Sequence, residues 1–136
     1  PMCNWNELTA RIDQIWADRD GRGVAVFDAD GTLWADDLGE RHLEALESLG
    51  LLAHAPHHAS VLGEYRARCA EDTDAGYSWA VAAMGGLAEE DVIGAARIAW
   101  KAHRSLVPPS IHELFRGLED RGVETWIVSA SNRWAI

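Results

Sequence analysis

The sequence is poor in residues that staple or interrupt a chain: of its 136 residues only two are cysteine, Cys3 and Cys69, and four are proline. Two cysteines cannot build a disulfide framework, so both thiols are expected to be incidental and the compartment reducing, as the cytoplasm is. Positive charge is scarce as well. Twelve lysines and arginines face 22 aspartates and glutamates, a formal charge of -10, and Lys101 is the only lysine. That balance excludes a basic surface able to grip nucleic acid or anionic lipid without regard to sequence. No apolar run approaches the roughly 18 to 20 residues that a bilayer crossing needs, and the opening residues carry charges throughout where a signal peptide would be apolar. A soluble chain without a membrane or nucleic-acid partner is therefore expected. Internal repeats and low-complexity tracts are absent too. What is present is ample apolar material, 48% of the residues, which suits one globular domain or a core carrying a small insert. The chain starts at Pro1 instead of methionine and stops at Ile136 just after an apolar segment, the pattern expected of a piece of a longer protein.

Periodicity orders the chain. Trp5, Leu8, Ile12, Ile15 and Trp16 recur at spacings of three and four, predicting an amphipathic helix over Trp5 to Asp18 that ends in a turn at Asp20-Gly21-Arg22-Gly23. Val24-Ala25-Val26-Phe27 is a short β-branched run, expected as a strand buried on both faces of a parallel sheet and ending at Asp28. From Asp36 to His103 the pattern is helical, with no credible strand. One helix carries Leu43, Leu46 and Leu49 up to Gly50, and a second follows Pro56 through Ala59, Leu62 and Arg66. A third spans about Tyr77 to Met84 and closes at Gly85-Gly86, and a fourth opens at Glu89, Glu90 and Asp91, acids that favour a helix N-terminus. Ser110 with Glu113, after Pro108-Pro109, reads as a capping box. It predicts a helix carrying Ile111, Leu114, Phe115 and Leu118, with Arg121 in its last turn and Gly122 as its stop. Val123, Trp126, Ile127 and Val128 then make a second buried-strand candidate that exits into Ser129-Ala130-Ser131-Asn132. A helix on the crossover returns the chain in the same direction, so the two strands should be parallel in an α/β architecture.

In open parallel sheets ligands bind beyond the carboxyl ends of the strands. Here one strand ends in Asp28-Ala29-Asp30-Gly31-Thr32 and the other in Ser129-Ala130-Ser131. Two aspartates two residues apart at a strand tip can both reach one small site, while Gly31 lets the backbone approach a ligand. Neighbouring carboxylates repel unless a cation sits between them or one holds a proton. The bland alternative is that Asp28 and Asp30 cap the turn and the helix after it.

These residues resemble a known family. Val24 to Trp34, an apolar strand running into Asp-x-Asp-Gly-Thr, is similar to the first signature of the haloacid dehalogenase-like hydrolase superfamily, and Trp126-Ile-Val-Ser129-Ala-Ser131 is similar to its second. The five-residue aspartate motif should arise by accident on the order of once in a thousand chains of this size. The helical insert and the Val-Ser-Ala-Ser exit look most like the phosphoserine phosphatase-like branch, which includes phosphorylcholine phosphatases. The resemblance implies a partial Rossmann-like parallel sheet as core, residues 1–35 and 104–136, with an all-helical cap inserted at 36–103. It implies an aspartyl-phosphate mechanism with Asp28 as nucleophile and Asp30 as general acid and base. Mg²⁺ would be held by the Asp28 carboxylate and the Asp30 main-chain carbonyl. Phosphate would be bound by Thr32, Ser129, the Ala130 amide and Ser131, and Asp37 would meet a substrate amine, its alternative being a helix N-cap.

The implied substrate is a small phosphomonoester, amine-bearing ones such as phosphoserine or phosphocholine among the candidates. Dehalogenase members lack an acid at the position of Asp30, because a halide leaves without a proton, so a phosphatase is favoured over a dehalogenase. The superfamily's phosphate-neutralising lysine and later Mg²⁺-binding acids have no counterpart here, since Lys101 lies in or at the exit of the helical segment. An N-terminal portion inactive alone is expected, and a decayed binding module is the competing reading. A phosphoacceptor signalling domain fits less well, having no room for so long a helical insert. His54 and His58 have i, i+4 spacing, but Pro56 between them spoils a helical metal site, and a solvated loop is expected. Trp5, Trp16, Trp100 and Trp126 are expected to pack in the core, whereas Trp34 and Asp36 follow the nucleophile directly and sit where substrate selection is expected.

Overall fold

The computed structural model describes residues 4–19, 23–52 and 58–136. Helix α1 (Trp5–Asp18) starts where Asn4 accepts a hydrogen bond from the Glu7 amide, and it leads to strand β1 (Val24–Phe27). Four helices follow: α2 (Leu38–Ser48), α3 (Val61–Glu71), α4 (Thr73–Ala83) and α5 (Glu89–His103). A 3-10 turn (Arg104–Leu106) leads to α6 (Pro109–Glu119) and strand β2 (Glu124–Ile127). The architecture is mixed, many helices around a small parallel sheet. β1 and β2 pair in parallel, Val24 with Glu124 through Phe27 with Ile127, and the Val128 amide continues the ladder to the Phe27 carbonyl at 2.8 Å. Among the described residues no strand of this sheet lies between 38 and 103, and no helix is long and apolar enough to cross a membrane.

Each of the helices α2 to α4 starts at a side-chain cap: Asp37 accepts from the Glu40 amide, Ser60 from Gly63 and Asp72 from Ala75. α5 has no such cap and relies on Glu89, Glu90 and Asp91 in its first turn, with Lys101 and His103 in its last, charges that complement the helix dipole. Leu38, Leu43 and Leu46 of α2 bury against Val92, Ala95 and Ala99 of α5 and Val61 of α3. The alanines let α5 approach closely, and this is where the core sits.

Four sequence-based expectations are corrected. The strands are not buried: Val26 is 61% exposed, Trp126 54% and Val128 60%. A buried apolar strand needs layers on both faces of the sheet, and here only Ala25 and Phe27 of β1 are half-buried, Phe27 against Phe115 (ring centroids 5.0 Å apart), while β2 is exposed throughout. The Ser110–Glu113 capping box does not form, because the N-cap is Pro108 and Pro109 occupies the first helical position without a side-chain cap bond. Proline suits that position, its missing N–H being an orphan there anyway, and it places Ser110 inside the helix. Arg121 lies beyond the end of α6 and pairs with Asp13 of α1 at 2.6 Å, with Gly122 (φ 66°) ending the turn. Trp100 and Trp126 are exposed and Trp16 is half-buried, so the tryptophans are not uniformly core. The side chain of Trp5, the turn at 20–22, and Cys3, His54, Pro56 and His57 lie outside the described residues, and His58 is exposed.

Candidate active site

β1 runs straight into the aspartate loop. Ala29 is fully buried, so alternation along the extended chain turns Asp28 and Asp30 together away from the core. The loop then folds tightly, the Thr32 and Leu33 amides both donating to the Ala29 carbonyl (3.1 and 2.8 Å) and the Gly31 amide to that of Asp36 (3.2 Å). Gly31 (φ 72°) and Asp36 (φ 77°) both take left-handed backbone, ordinary for glycine and tolerated by aspartate. Arg41 holds Asp36 through Nε at 2.9 Å. The Asp37 amide and then Arg41 keep the Asp36 carboxyl below its usual range.

Asp30 is the more constrained of the pair. Its Oδ1 accepts from the Trp34 indole N–H (2.8 Å) and the Leu38 amide (2.7 Å), and its Oδ2 accepts from the Ser131 hydroxyl (2.6 Å). Trp34 is itself held edge-on by Trp100 at 5.6 Å and by His103 at 6.5 Å. Asp28 is exposed and accepts a single bond from the Thr32 hydroxyl among the described residues, at 3.0 Å. The capping alternative thus describes part of what Asp30 does, since Leu38 opens α2, but the Ser131 contact ties it to the other strand. On the β2 side the Ser131 amide donates to Ser129 Oγ at 3.1 Å. Ser131 Oγ also lies 3.1 Å from where a Cβ on Gly39 would stand, so the first turn of α2 approaches this loop closely because residue 39 lacks a side chain.

These residues line one cavity of about 310 Å³. Its floor is Asp28, Asp30 and Ser129 to Asn132. Its far wall comes from Asp37, Gly39 and Leu43 at the start of α2, Tyr65 of α3, and Tyr77, Ala80 and Val81 of α4. Asp28, Asp30, Asp37, Ser129, Ala130 and Ser131 are therefore brought together. Thr32 does not line the cavity and reaches it through Asp28. Asp37 is an N-cap and a cavity residue at once, and burial, opposed by the Glu40 amide, raises its pKa. Three carboxylates line the space with no lysine or arginine among the described lining residues, and Lys101 is exposed on α5.

A family model for haloacid dehalogenase-like hydrolases matches residues 25–136. The chain belongs to the haloacid dehalogenase-like hydrolase family. Comparison with curated proteins and with solved structures gave no significant match. The matched span takes in β2, all of β1 but Val24, the aspartate loop and the serine loop, so every lining residue of the cavity lies within it. Membership makes hydrolase chemistry, of the phosphatase type, the expectation for this cavity, and members of the family generally use Mg²⁺.

Periodicity gave no sign of Tyr65 and Tyr77, which stack with ring centroids 6.5 Å apart. They come from different helices, and no local spacing marks two side chains that meet only after α3 and α4 pack. Burial, with help from Cys69, pushes the Tyr65 phenol far up.

Proposed function

We propose that the protein is a Mg²⁺-dependent phosphomonoester hydrolase working through an aspartyl-phosphate on Asp28. The observation that carries this reading is the cavity that an exposed, lightly bonded aspartate from one strand tip shares with the serines of the other. An Asp28 oxygen attacks phosphorus as the P–O bond to the leaving alkoxide breaks, and Asp30 gives that oxygen its proton. Asp30 then takes a proton from water as the water oxygen attacks phosphorus and the bond to Asp28 breaks, releasing phosphate. To donate, Asp30 exchanges the Ser131 hydroxyl for the leaving oxygen, which frees Ser131 to join Ser129 and the Ala130 amide on the phosphate. Thr32 orients Asp28 through its hydroxyl.

Among the described residues no group of three or more His, Cys, Asp or Glu side chains is arranged to hold a metal ion. The donors present nevertheless suit Mg²⁺, a hard cation that keeps several waters and needs only one or two carboxylates. The Asp28 carboxylate and the Asp30 main-chain carbonyl would hold it, and the uncompensated acids of the cavity favour a cation. Bound there, it supplies charge neutralisation for the anionic phosphoryl group.

Residues 36–103 then act as a cap over a core of residues 1–35 and 104–136. The cap side of the cavity offers a leaving group an acid, Asp37, and the stacked rings of Tyr65 and Tyr77, a combination that favours an ammonium group. An ammonium on the leaving group has Asp37 to pair with, whereas no lysine or arginine among the described lining residues would pair with a carboxylate. Hydrolysis of p-nitrophenyl phosphate and of amino-alcohol phosphates with Mg²⁺ tests the reading, and turnover by these 136 residues alone would overturn the expectation that they are inactive by themselves. Asp28→Asn should remove the activity by about 10⁴-fold or more, and unchanged turnover in that variant contradicts it.

A further inference from the structure

The mechanism above leaves one fully buried polar side chain unused. His42, on α2, is 0% exposed. It stands between α5 and the loop that leaves β2, its Nε2 2.9 Å from the Val92 carbonyl and its Nδ1 3.4 Å from Asn132 Nδ2. We infer that His42 is a positioning residue for the serine loop: its Nδ1 accepts from the Asn132 amide and so ties residues 129–132 to helices α2 and α5.

The hydrogen-bond roles follow from the partners. A carbonyl can only accept, so Nε2 carries the proton and Nδ1 of a neutral ring is left as the acceptor. The orientation of Asn132 is fixed independently, because its Oδ1 accepts from the Trp134 and Ala135 amides at 3.1 and 3.2 Å, leaving Nδ2 to turn toward His42. Val92 lies in the first turn of α5, where its carbonyl already serves the helix ladder. It does not require an imidazole, whereas His42 Nδ1 is the acceptor that the half-buried Asn132 Nδ2 meets among the described residues. Asn132 lines the cavity one residue beyond Ser131, which holds Asp30. Ser129 and Ser131 sit on a strand end that burial alone does not fix, β2 being exposed along its length.

The kinetic consequence rests on the phosphatase reading, but the brace itself does not. In the full 136-residue chain, His42→Asn can place an amide oxygen where Nδ1 stands and keep the acceptor for Asn132. His42→Gln reaches the Nε2 position and keeps only the donor toward Val92. Amide hydrogen exchange at Ser131, measured without phosphate or metal, should quicken about five- to tenfold in His42→Gln, the loss of one hydrogen bond, and stay near wild type in His42→Asn. If the protein hydrolyses phosphomonoesters, kcat follows the same order with KM little changed. Equal protection in His42→Gln and wild type overturns the proposal, as does equal loss in both variants, the mark of packing alone. Should either variant fail to fold, imidazole ¹⁵N shifts of the wild-type chain decide: a protonated Nε2 with a bare Nδ1 supports the brace, and a protonated Nδ1 ends it.

Discussion

The helical segment and the sheet bury their apolar residues to very different degrees. Leu38, Leu46, Val61 and Ala95 are almost wholly enclosed between α2, α3 and α5, whereas Val24, Val26, Trp126 and Val128 of the strands and the residue beyond face outward. Most of the burial that stabilises this chain therefore lies in the helices. The chemistry-bearing loops lie at the tips of the less buried element, where polar ties add to the packing of Ala29, Leu33, Trp34 and Ala135. Ser131 holds Asp30, Asn132 meets His42, and Glu89 of α5 accepts from both Arg133 (2.8 Å) and the Trp134 indole (3.0 Å). Burial fixes the helices; burial of a few loop residues together with hydrogen bonds fixes the seam between helices and sheet, where the candidate active site lies.

Truncations on the two sides should break this comparison most visibly. Leu46→Ala, which empties a fully enclosed site, should cost about 2 to 5 kcal/mol in urea denaturation, and Val26→Ala on the open sheet face less than about 1 kcal/mol. Similar costs would mean that the sheet is covered in solution.

Acid should act on the seam next. Burial, opposed by the bonds to Val92 and Asn132, lowers the pKa of His42, so the unfolded chain binds the proton more readily than the folded one. Stability from this group is fully present above the unfolded value of about 6.5 and is lost as pH falls through the lower folded value. The slope cannot exceed one proton, about 1.4 kcal/mol per pH unit. Denaturation midpoints across that range should flatten in His42→Asn relative to wild type, and an unchanged slope would place the titration elsewhere.

Asp37 offers a smaller and opposite effect. Its raised pKa means that stability from this group is present below the unfolded value near 3.9 and is lost as pH rises through the folded one, leaving a partly buried charge at neutral pH. Asparagine caps a helix as well as aspartate does, so Asp37→Asn should leave the melting temperature at pH 7 unchanged or slightly higher. If Asp37 selects amines, KM for an amino-alcohol phosphate should rise about tenfold, one charge-assisted contact, while KM for a neutral alcohol phosphate stays put. A large drop in melting temperature would show that the cap contact depends on the charge.

The same contrast explains what the sequence made legible. Helices α1, α2 and α5 carry their signals in spacing and in charges at their ends, and Asp28 and Asp30 are contiguous on a loop, so a local pattern suffices. The parallel pairing followed from the helix that links the strands. Burial of Val26 and Trp126 did not follow, because an apolar run fits a covered strand without revealing whether the covering layers exist. Pro109 displaced the expected Ser110 cap because two local signals competed for one helix start and the fixed φ of proline took it. Tyr65 with Tyr77, and His42 with Asn132, meet only through packing; the first pair lies on two separate helices and the second is 90 positions apart.

The most direct test of the account is a phosphoryl trap. The protein is mixed with Mg²⁺ and a phosphomonoester, quenched in acid and digested, and the site of covalent phosphate is mapped; in parallel, beryllium fluoride binding is followed by ¹⁹F spectroscopy. The account predicts phosphate on Asp28 and a Mg²⁺-dependent fluoride signal that vanishes in Asp28→Asn and persists in Thr32→Ala. Phosphate on another residue, or a fluoride signal indifferent to Asp28, would contradict it.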